Sequence, residues 1–407
     1  MPYVVSSGAL GGDGRPPASE RITLGFIGLG WKGFAGCWGS LLQAFIADPG
    51  ARVLAVCDVD RRYRERAKAF VDQTYGDRAC AMHRDFRDLV ARPDLDAVVI
   101  ATPDHWHAVQ TIWACRHGKD VYCEKPLSLT IREARAMVDA ARRYGRVVQA
   151  GSQSRSMGRL RFACEVVRSG RIGKVLEVHV GCGGPPRPCD LPGEPAPDYL
   201  DWDLWLGPAP WRPFHREIHP VAFRAWSDYS GGGMTDWGAH HFDLAQWGLG
   251  KDQSGPVEII PPDGREHRRL TFKYADGATM VHSSFDLGEG VTFIGTEGKV
   301  WAFGVAGSAK FEPVSLGRMR GRPEESPINQ NAGNQSHTQN FLECVRTRRR
   351  PHADVEIGCR TAIVCHLGNI AYQLNRPLRW EPGKEVFVND EEANRLVDRP
   401  RREPWDV

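Results

Sequence analysis

The sequence contains no run of about 18 apolar residues, so it offers no candidate for a membrane-spanning helix. Its 11 cysteines include no CxxC pair, which removes the usual zinc pattern and argues against a disulfide framework, and no metal site is expected. Cys57, Cys115, Cys123, Cys164 and Cys365 lie in apolar surroundings and read as buried thiols, whereas Cys182 and Cys189 flank a Pro/Gly-rich loop and are the exceptions. Charge of one sign is also scarce: a net +3 argues neither for nucleic acid nor for a membrane surface as partner. Arg346-Thr347-Arg348-Arg349-Arg350 then reads as a solvated helix end rather than a phosphate track. There is no internal repeat. Met1 to Glu20 has no periodicity, as a loosely draped leader would.

What is present is a 407-residue chain, 41% apolar and 25% charged, too long for one ordinary core. The pattern divides it into a leader (1–20), an α/β domain (21–150), an α+β domain (151–385) and a C-terminal tail with the charge of an exposed segment (386–407).

The first domain opens on a strand, Arg21 to Gly28, that runs into Gly28-Leu29-Gly30-Trp31-Lys32-Gly33. GxGxxG is weak alone and persuasive between a strand and a helix. Gly28, Gly30 and Gly33 permit a tight turn, close approach to a pyrophosphate, and packing of helix on strand. The next strand, Val53 to Cys57, ends in Asp58, an acid placed either to take both ribose hydroxyls of an adenosine or to cap a helix. The gap from Gly33 exceeds the usual spacing, and a long first helix would absorb it. Asp58 favours NAD; Arg61 and Arg62 leave NADP open.

Two further strands end in candidate site residues. Ala97 to Ala101 leads into Thr102-Pro103-Asp104-His105-Trp106-His107, whose rings could line a pocket wall or simply pack. Val121-Tyr122-Cys123 stops at Glu124-Lys125-Pro126, which holds Lys125 at the carboxyl end of a strand, where open α/β sheets bind ligands. Lys125 is either a surface lysine paired with Glu124 or a proton-trading group whose pKa a cofactor and partial burial lower. Strands alternating with helices predict a doubly wound parallel sheet.

After Gly151 the pattern changes. Pro, Gly and Trp dominate from Gly183 to Trp226, a stretch too long for a simple connection; Trp202, Trp205, Trp211 and Trp226 could stack on sugar faces or anchor the loop. Gly231-Gly232-Gly233-Met234-Thr235-Asp236 then predicts a helix starting at Thr235 or Asp236. Asp236 and His240, four apart, would share one face, Asp243 could orient His240, and His241 would point about 100° away. Two hairpins are expected around Asp276-Gly277 and Glu297-Gly298, a loop from Gly304 to Gln335, and helices over Ser336 to Arg346 and Gly358 to Leu374.

The glycine loop, Thr102-Pro103 with His107, Glu124-Lys125-Pro126, and Asp236 with His240 inside GGGMTDWGAHHFD together resemble the Gfo/Idh/MocA oxidoreductases, from Ile22 to about Leu378. The resemblance implies a Rossmann domain, an open, mainly antiparallel sheet domain often used to form homo-oligomers, and hydride exchange between NAD(P) and a sugar or polyol. It makes Lys125 the catalytic lysine, Asp236 and His240 the acid-base pair, and Thr102, Pro103, His107, Glu124 and Gln153 residues beside the cofactor. Arg224, Trp226, Tyr229 and His241 are candidates for the carbohydrate. The tryptophan-rich loop and DHWH resemble a branch of often exported bacterial proteins, and the leader resembles what remains after a twin-arginine signal is removed, so a cytoplasmic or periplasmic protein is expected. Three readings follow: a sugar, polyol or glycoside dehydrogenase; an NAD-dependent glycosidase working by transient C3 oxidation and elimination; and a non-catalytic dinucleotide sensor.

Overall fold

A computed structural model describes residues 10–12, 14, 16–36, 40–283, 286, 288–303, 307–318 and 336–407. The first domain is a six-stranded parallel sheet of β1 (Ile22–Ile27), β2 (Ala51–Cys57), β3 (Ala81–His83), β4 (Ala97–Ile100), β5 (Asp120–Cys123) and β6 (Val148–Ala150), in the order β3-β2-β1-β4-β5-β6. Every residue of β4 and β5 is buried, which is why these strands read as unbroken apolar runs instead of alternating. The order reverses between β1 and β4, and ligands bind at the carboxyl ends of strands beside such a reversal. Both candidate loops, Gly28–Gly33 and Thr102–Pro103, leave the sheet there.

The second domain is a nine-stranded sheet of β7 (Val175–Gly181), β8 (Glu258–Ile260), β9 (Thr271–Lys273), β10 (Thr279–His282), β11 (Gly290–Gly295), β12 (Lys299–Phe303), β13 (Ser308–Glu312), β14 (Leu378–Glu381) and β15 (Val386–Phe387). Its order is β13-β12-β11-β7-β10-β9-β8-β14-β15, antiparallel except for β7 with β10. Both expected hairpins are present, as β9/β10 and β11/β12. The inner face packs on the helices Gly158–Arg168 and Gly238–Gly248, so β12 alternates buried and half-exposed residues. The predicted C-terminal helices form as His337–Thr347 and Val355–Leu374, capped by Ser336 and Asp354.

Four expectations are corrected. The long first helix does not form: one irregular helical turn at Trp31–Ala35 is followed, past residues outside the description, by a short helix at Leu41–Ile46 whose Ser40 cap also bonds back to the Gly33 carbonyl. The C-terminal segment is not an exposed tail. Trp405 is 5% exposed and packs on Phe86 and Trp106, while Arg402 binds the Gly207 carbonyl and Asp203. The described part of the Gly304 to Gln335 loop is strand β13 and the turn Val314–Arg318; most of the rest, and of the leader, lies outside the described residues. Cys182 is fully buried. The arginine cluster is a solvated helix end, as expected: Arg346 to Arg350 are exposed at the end of His337–Thr347, with Arg346 bonded to the Gly50 carbonyl and Arg348 paired with Asp120 at the start of β5.

The tryptophan-rich segment builds a small core of its own, from Leu200, Trp202, Trp205, Leu206, Phe214, Ile218, Phe223, Trp226 and Tyr229. Backbone bonds fasten it to the turn after β2, from Arg61 N–H to the Tyr199 carbonyl (2.8 Å) and from Asp201 N–H to the Val59 carbonyl (3.1 Å). The indole of Trp106 donates to the Trp205 carbonyl (2.9 Å). The segment therefore lies across the outer end of the first sheet.

Candidate active site

A cavity of about 640 Å³ runs along the carboxyl ends of β1, β2 and β4 and is closed by the second domain. At one end stands the glycine loop. Gly28 has φ +86°, and a Cβ there would lie 2.6 Å from the Ala101 carbonyl carbon; a Cβ on Gly33 would lie 2.0 Å from the Gly28 carbonyl oxygen. These two glycines are required by packing. Gly30 differs: a Cβ there would meet nothing nearer than Tyr63 at 3.9 Å, so its backbone faces open space of the kind a diphosphate needs. Asp58 lines the same end and accepts from Leu29 N–H (2.6 Å) and Asp60 N–H (2.8 Å). It is not the helix cap, because Asp60 caps Arg61–Tyr75. Burial pushes the Asp58 carboxyl up to about 6 against the pull of those two N–H donors. Arg62 pairs with Asp60 and lies 3.4 Å over the Tyr199 ring, and neither it nor Arg61 lines the cavity.

At the other end the two domains meet. Lys125 Nζ donates to Asp236 Oδ1 (2.6 Å) and to the Asp236 carbonyl (2.9 Å), with side chains 17% and 26% exposed. Arg224 Nε donates to the same Oδ1 (3.2 Å). Burial pushes the Asp236 carboxyl up, but Lys125 and Arg224 outweigh it and the net shift is down. Asp236 sits in the turn before the helix, which starts at Gly238. His240 follows in the first helical turn and lines the cavity; its Nδ1 is buried without a partner, which leaves Nε2 for the cavity. Burial first, then the charge of Lys125, hold this imidazole well below its usual pKa. It is neutral at pH 7 and poised to accept a proton. Glu124 and Gln153 line the floor, joined by a 2.7 Å hydrogen bond from Gln153 Nε2, which also reaches the Tyr122 hydroxyl.

Of the other sequence candidates, Thr102, Pro103 and Arg224 line the cavity, and several do not. His107 is buried with Nδ1 2.7 Å from the Pro126 carbonyl and Nε2 2.9 Å from the Thr102 carbonyl, so it ties the two loops together from behind. His105 likewise faces the Trp205 carbonyl. His241 Nδ1 meets the Gly181 carbonyl, Trp226 is buried beneath Arg187, and Tyr229 packs between His105 and Trp205. Asp243 does not orient His240: its carboxylate is taken by Arg155 and Thr361. Asp236, committed to two cations, makes no bond to His240 either. Of the four candidate stacking tryptophans only Trp205 lines the cavity, stacked on Trp202 at 4.7 Å; Trp211 is 65% exposed.

The sequence reading missed Lys32, Trp237 and Asp104 as lining residues. Lys32 was legible as the variable position of the glycine loop, and Asp104 as the residue after Thr102-Pro103. Trp237, whose ring lies 5.9 Å from Lys125 Nζ, could be placed only once the helix start was known.

A parallel sheet with a glycine cradle at its switch point thus meets a lysine, an aspartate and a histidine over the same cavity. The chain belongs to the Gfo/Idh/MocA family: residues 22–152 match its NAD-binding Rossmann fold and residues 188–407 its C-terminal alpha/beta domain. A 163-residue stretch is 30% identical to 2,7-anhydro-N-acetylneuraminate hydratase of Mediterraneibacter gnavus, covering 40% of each chain. Another of 130 residues is 34% identical to a glycosyl hydrolase family 109 protein of Shewanella sp., covering 31% of this chain and 27% of that one. The matches thus span less than half the length of these curated relatives. Aldose-aldose oxidoreductase from Caulobacter crescentus shares the fold, with a TM-score of 0.60 and 21% identity over 88% of this chain and 99% of that one. Among the described residues no helix is long and apolar enough to cross a membrane.

Proposed function

We propose that the protein is an NAD-dependent oxidoreductase acting on a secondary hydroxyl of a sugar, polyol or glycoside. The observation that carries this reading is the convergence of Lys125 from the first domain and His240 from the second on one cavity beside the glycine loop. NAD, which the Gly28–Gly33 loop and Asp58 would hold, would supply hydride exchange with the substrate carbon. His240 Nε2, neutral and without a protein partner, takes the hydroxyl proton. An ammonium has three donors; Lys125 spends two on Asp236 and has the third for the substrate oxygen, where negative charge develops. Asp236 aims Lys125 and offsets its charge. Asp58 at the ribose favours NAD over a 2′-phosphorylated cofactor.

A redox-neutral glycosidase is the second reading. It is favoured by the segment fastened across the outer end of the cleft, which suits a cofactor that is reduced and reoxidised without leaving, and by the names of the two curated relatives. In that reading NAD would supply the hydride acceptor for oxidation and, as NADH, the donor that restores the hydroxyl, while the same histidine and lysine move the protons; between the two, elimination expels the aglycone and water adds. A panel of free sugars, polyols and glycosides assayed for both NADH absorbance and aglycone release decides between the two. NADH accumulation supports the dehydrogenase. Aglycone without NADH, with deuterium from heavy water at C2, supports the glycosidase. Neither product from any member rejects both. A homo-oligomer and a cytoplasmic or periplasmic location remain part of the proposal, tested by light scattering and by fractionation of the source cells.

A further inference from the structure

Among the described residues, five carboxyl groups line the cavity, and four of them are held by N–H or cationic donors. Asp58 has two backbone N–H groups, Asp85 has Arg87, Glu124 has Gln153 and its neighbour's N–H, and Asp236 has Lys125 and Arg224. Asp104 is the exception. Its side chain is held by one hydroxyl, from Ser230 Oγ to Oδ2 at 2.6 Å, although the residue is only 4% exposed. An ionised carboxylate has about four acceptor positions, and leaving them empty in a buried place is costly.

The fold nevertheless fixes this carboxyl firmly at the reactive end. Asp104 is the first residue of the helix Asp104–Arg116, directly after β4 and Thr102-Pro103, where the positive helix end favours an anion. Its neighbours His105, Trp106 and His107 are pinned from behind by the carbonyls of Trp205, Pro126 and Thr102. Ser230, fully buried, precedes the glycine run that delivers Asp236. The charges of Arg224, Asp236 and Lys125 all act on Asp104, which places it in their part of the cleft.

We propose that Asp104 is a specificity-determining residue that accepts a hydrogen bond from a second hydroxyl of the substrate, on a ring carbon next to the one being oxidised, so that the site selects vicinal diols. The proposal rests on the carbohydrate reading above. A bound diol fills the acceptor positions that the protein leaves open, and an analogue lacking that hydroxyl strands a buried anion. Burial, partly offset by Ser230, raises the Asp104 carboxyl to about 6, so the carboxylate that accepts the bond predominates at neutral pH and is lost below that value.

The test uses the full-length protein with NAD and the same panel of sugars, polyols and methyl glycosides, each beside its monodeoxy analogues. In the wild type, the preferred compound is expected to lose about 10- to 100-fold in kcat/KM when the hydroxyl next to the oxidised carbon is removed. In Asp104→Ala that preference vanishes, with the loss in KM rather than kcat, and in Asp104→Asn it is reduced. The wild-type KM rises as pH falls through about 6, and the Ala variant lacks this rise. Ser230→Ala removes the hydroxyl that braces Asp104 and is expected to keep the preference. The proposal is overturned if discrimination survives in Asp104→Ala, or if Ser230→Ala abolishes it equally, which would make Asp104 a brace between domains. If the wild type turns over no carbohydrate, the underlying reading fails first and is seen to do so without any variant.

Discussion

His107 and His240 are the same residue type, each at the start of a helix beside the same cleft, one from each domain. Both ring nitrogens of His107 face carbonyl oxygens at hydrogen-bond distance, whereas His240 has no partner on Nδ1. The two aspartates of the second domain, both held by cations, differ instead in position. Asp243 is fully buried against Arg155 and Thr361, while Asp236 stands at the cavity between two cations. A polar group that the fold has satisfied from inside holds architecture together; one left with unused capacity toward a cavity is available for chemistry.

This contrast can be broken in graded steps. The largest effect is expected for His240→Ala, which lowers kcat by about 10²–10⁴ while the thermal midpoint stays near that of the wild type; steady-state assays and calorimetry on one preparation read both. Lys125→Met removes a donor from the reacting oxygen and costs about 10²–10³ in kcat with NAD affinity retained, measurable by NAD titration. Asp243→Ala acts in the other direction. It leaves the buried Arg155 guanidinium with Asp252 as its one remaining carboxylate and destabilises the fold by up to about 3 kcal/mol, seen as a lower urea midpoint, with little change in activity per folded molecule. His107→Ala removes a buried N–H donor that stands between the Pro126 and Thr102 carbonyls and costs about 1–3 kcal/mol by the same measurement.

The smallest effect is a pH dependence. The Asp104 carboxyl is raised to about 6 in the folded protein, above its unfolded value, so the native state binds the proton more tightly. Stability conferred by that proton is full below the unfolded pKa and is lost as pH rises through about 6. Asp104→Asn, which carries no charge at either pH, is therefore expected to match the wild type near pH 4. It gains on the order of 1 kcal/mol over the wild type at pH 7, a difference that paired denaturation curves at the two pH values measure.

Much of the fold was legible because its signals are local. Buried parallel strands leave apolar runs, glycine pairs mark hairpins, and Glu124-Lys125-Pro126 announces a strand end; Lys125, Asp236 and His240 were all placed from such signals. Partnership across the chain was not legible. Asp243 lies three residues from His240 and yet binds Arg155, 88 residues away in sequence, because helix periodicity gives direction but not the identity of what packs opposite. His107 was misread for the same reason, since its partners are carbonyl groups, which no sequence pattern advertises. The C-terminal segment misled through composition: among its many charges a few apolar residues, Phe387, Val397 and Trp405, are buried, the last between Phe86 and Trp106.

The grip of Asp236 on Lys125 has a mechanical corollary. One carboxylate and one carbonyl of the second domain are latched onto a side chain of the first, and Arg142 with Asp354 adds a second latch farther back. Parting the two halves would have to break these bonds, whereas lifting the tryptophan-rich segment off the turn after β2 would break two backbone bonds, Arg61 N–H to Tyr199 and Asp201 N–H to Val59.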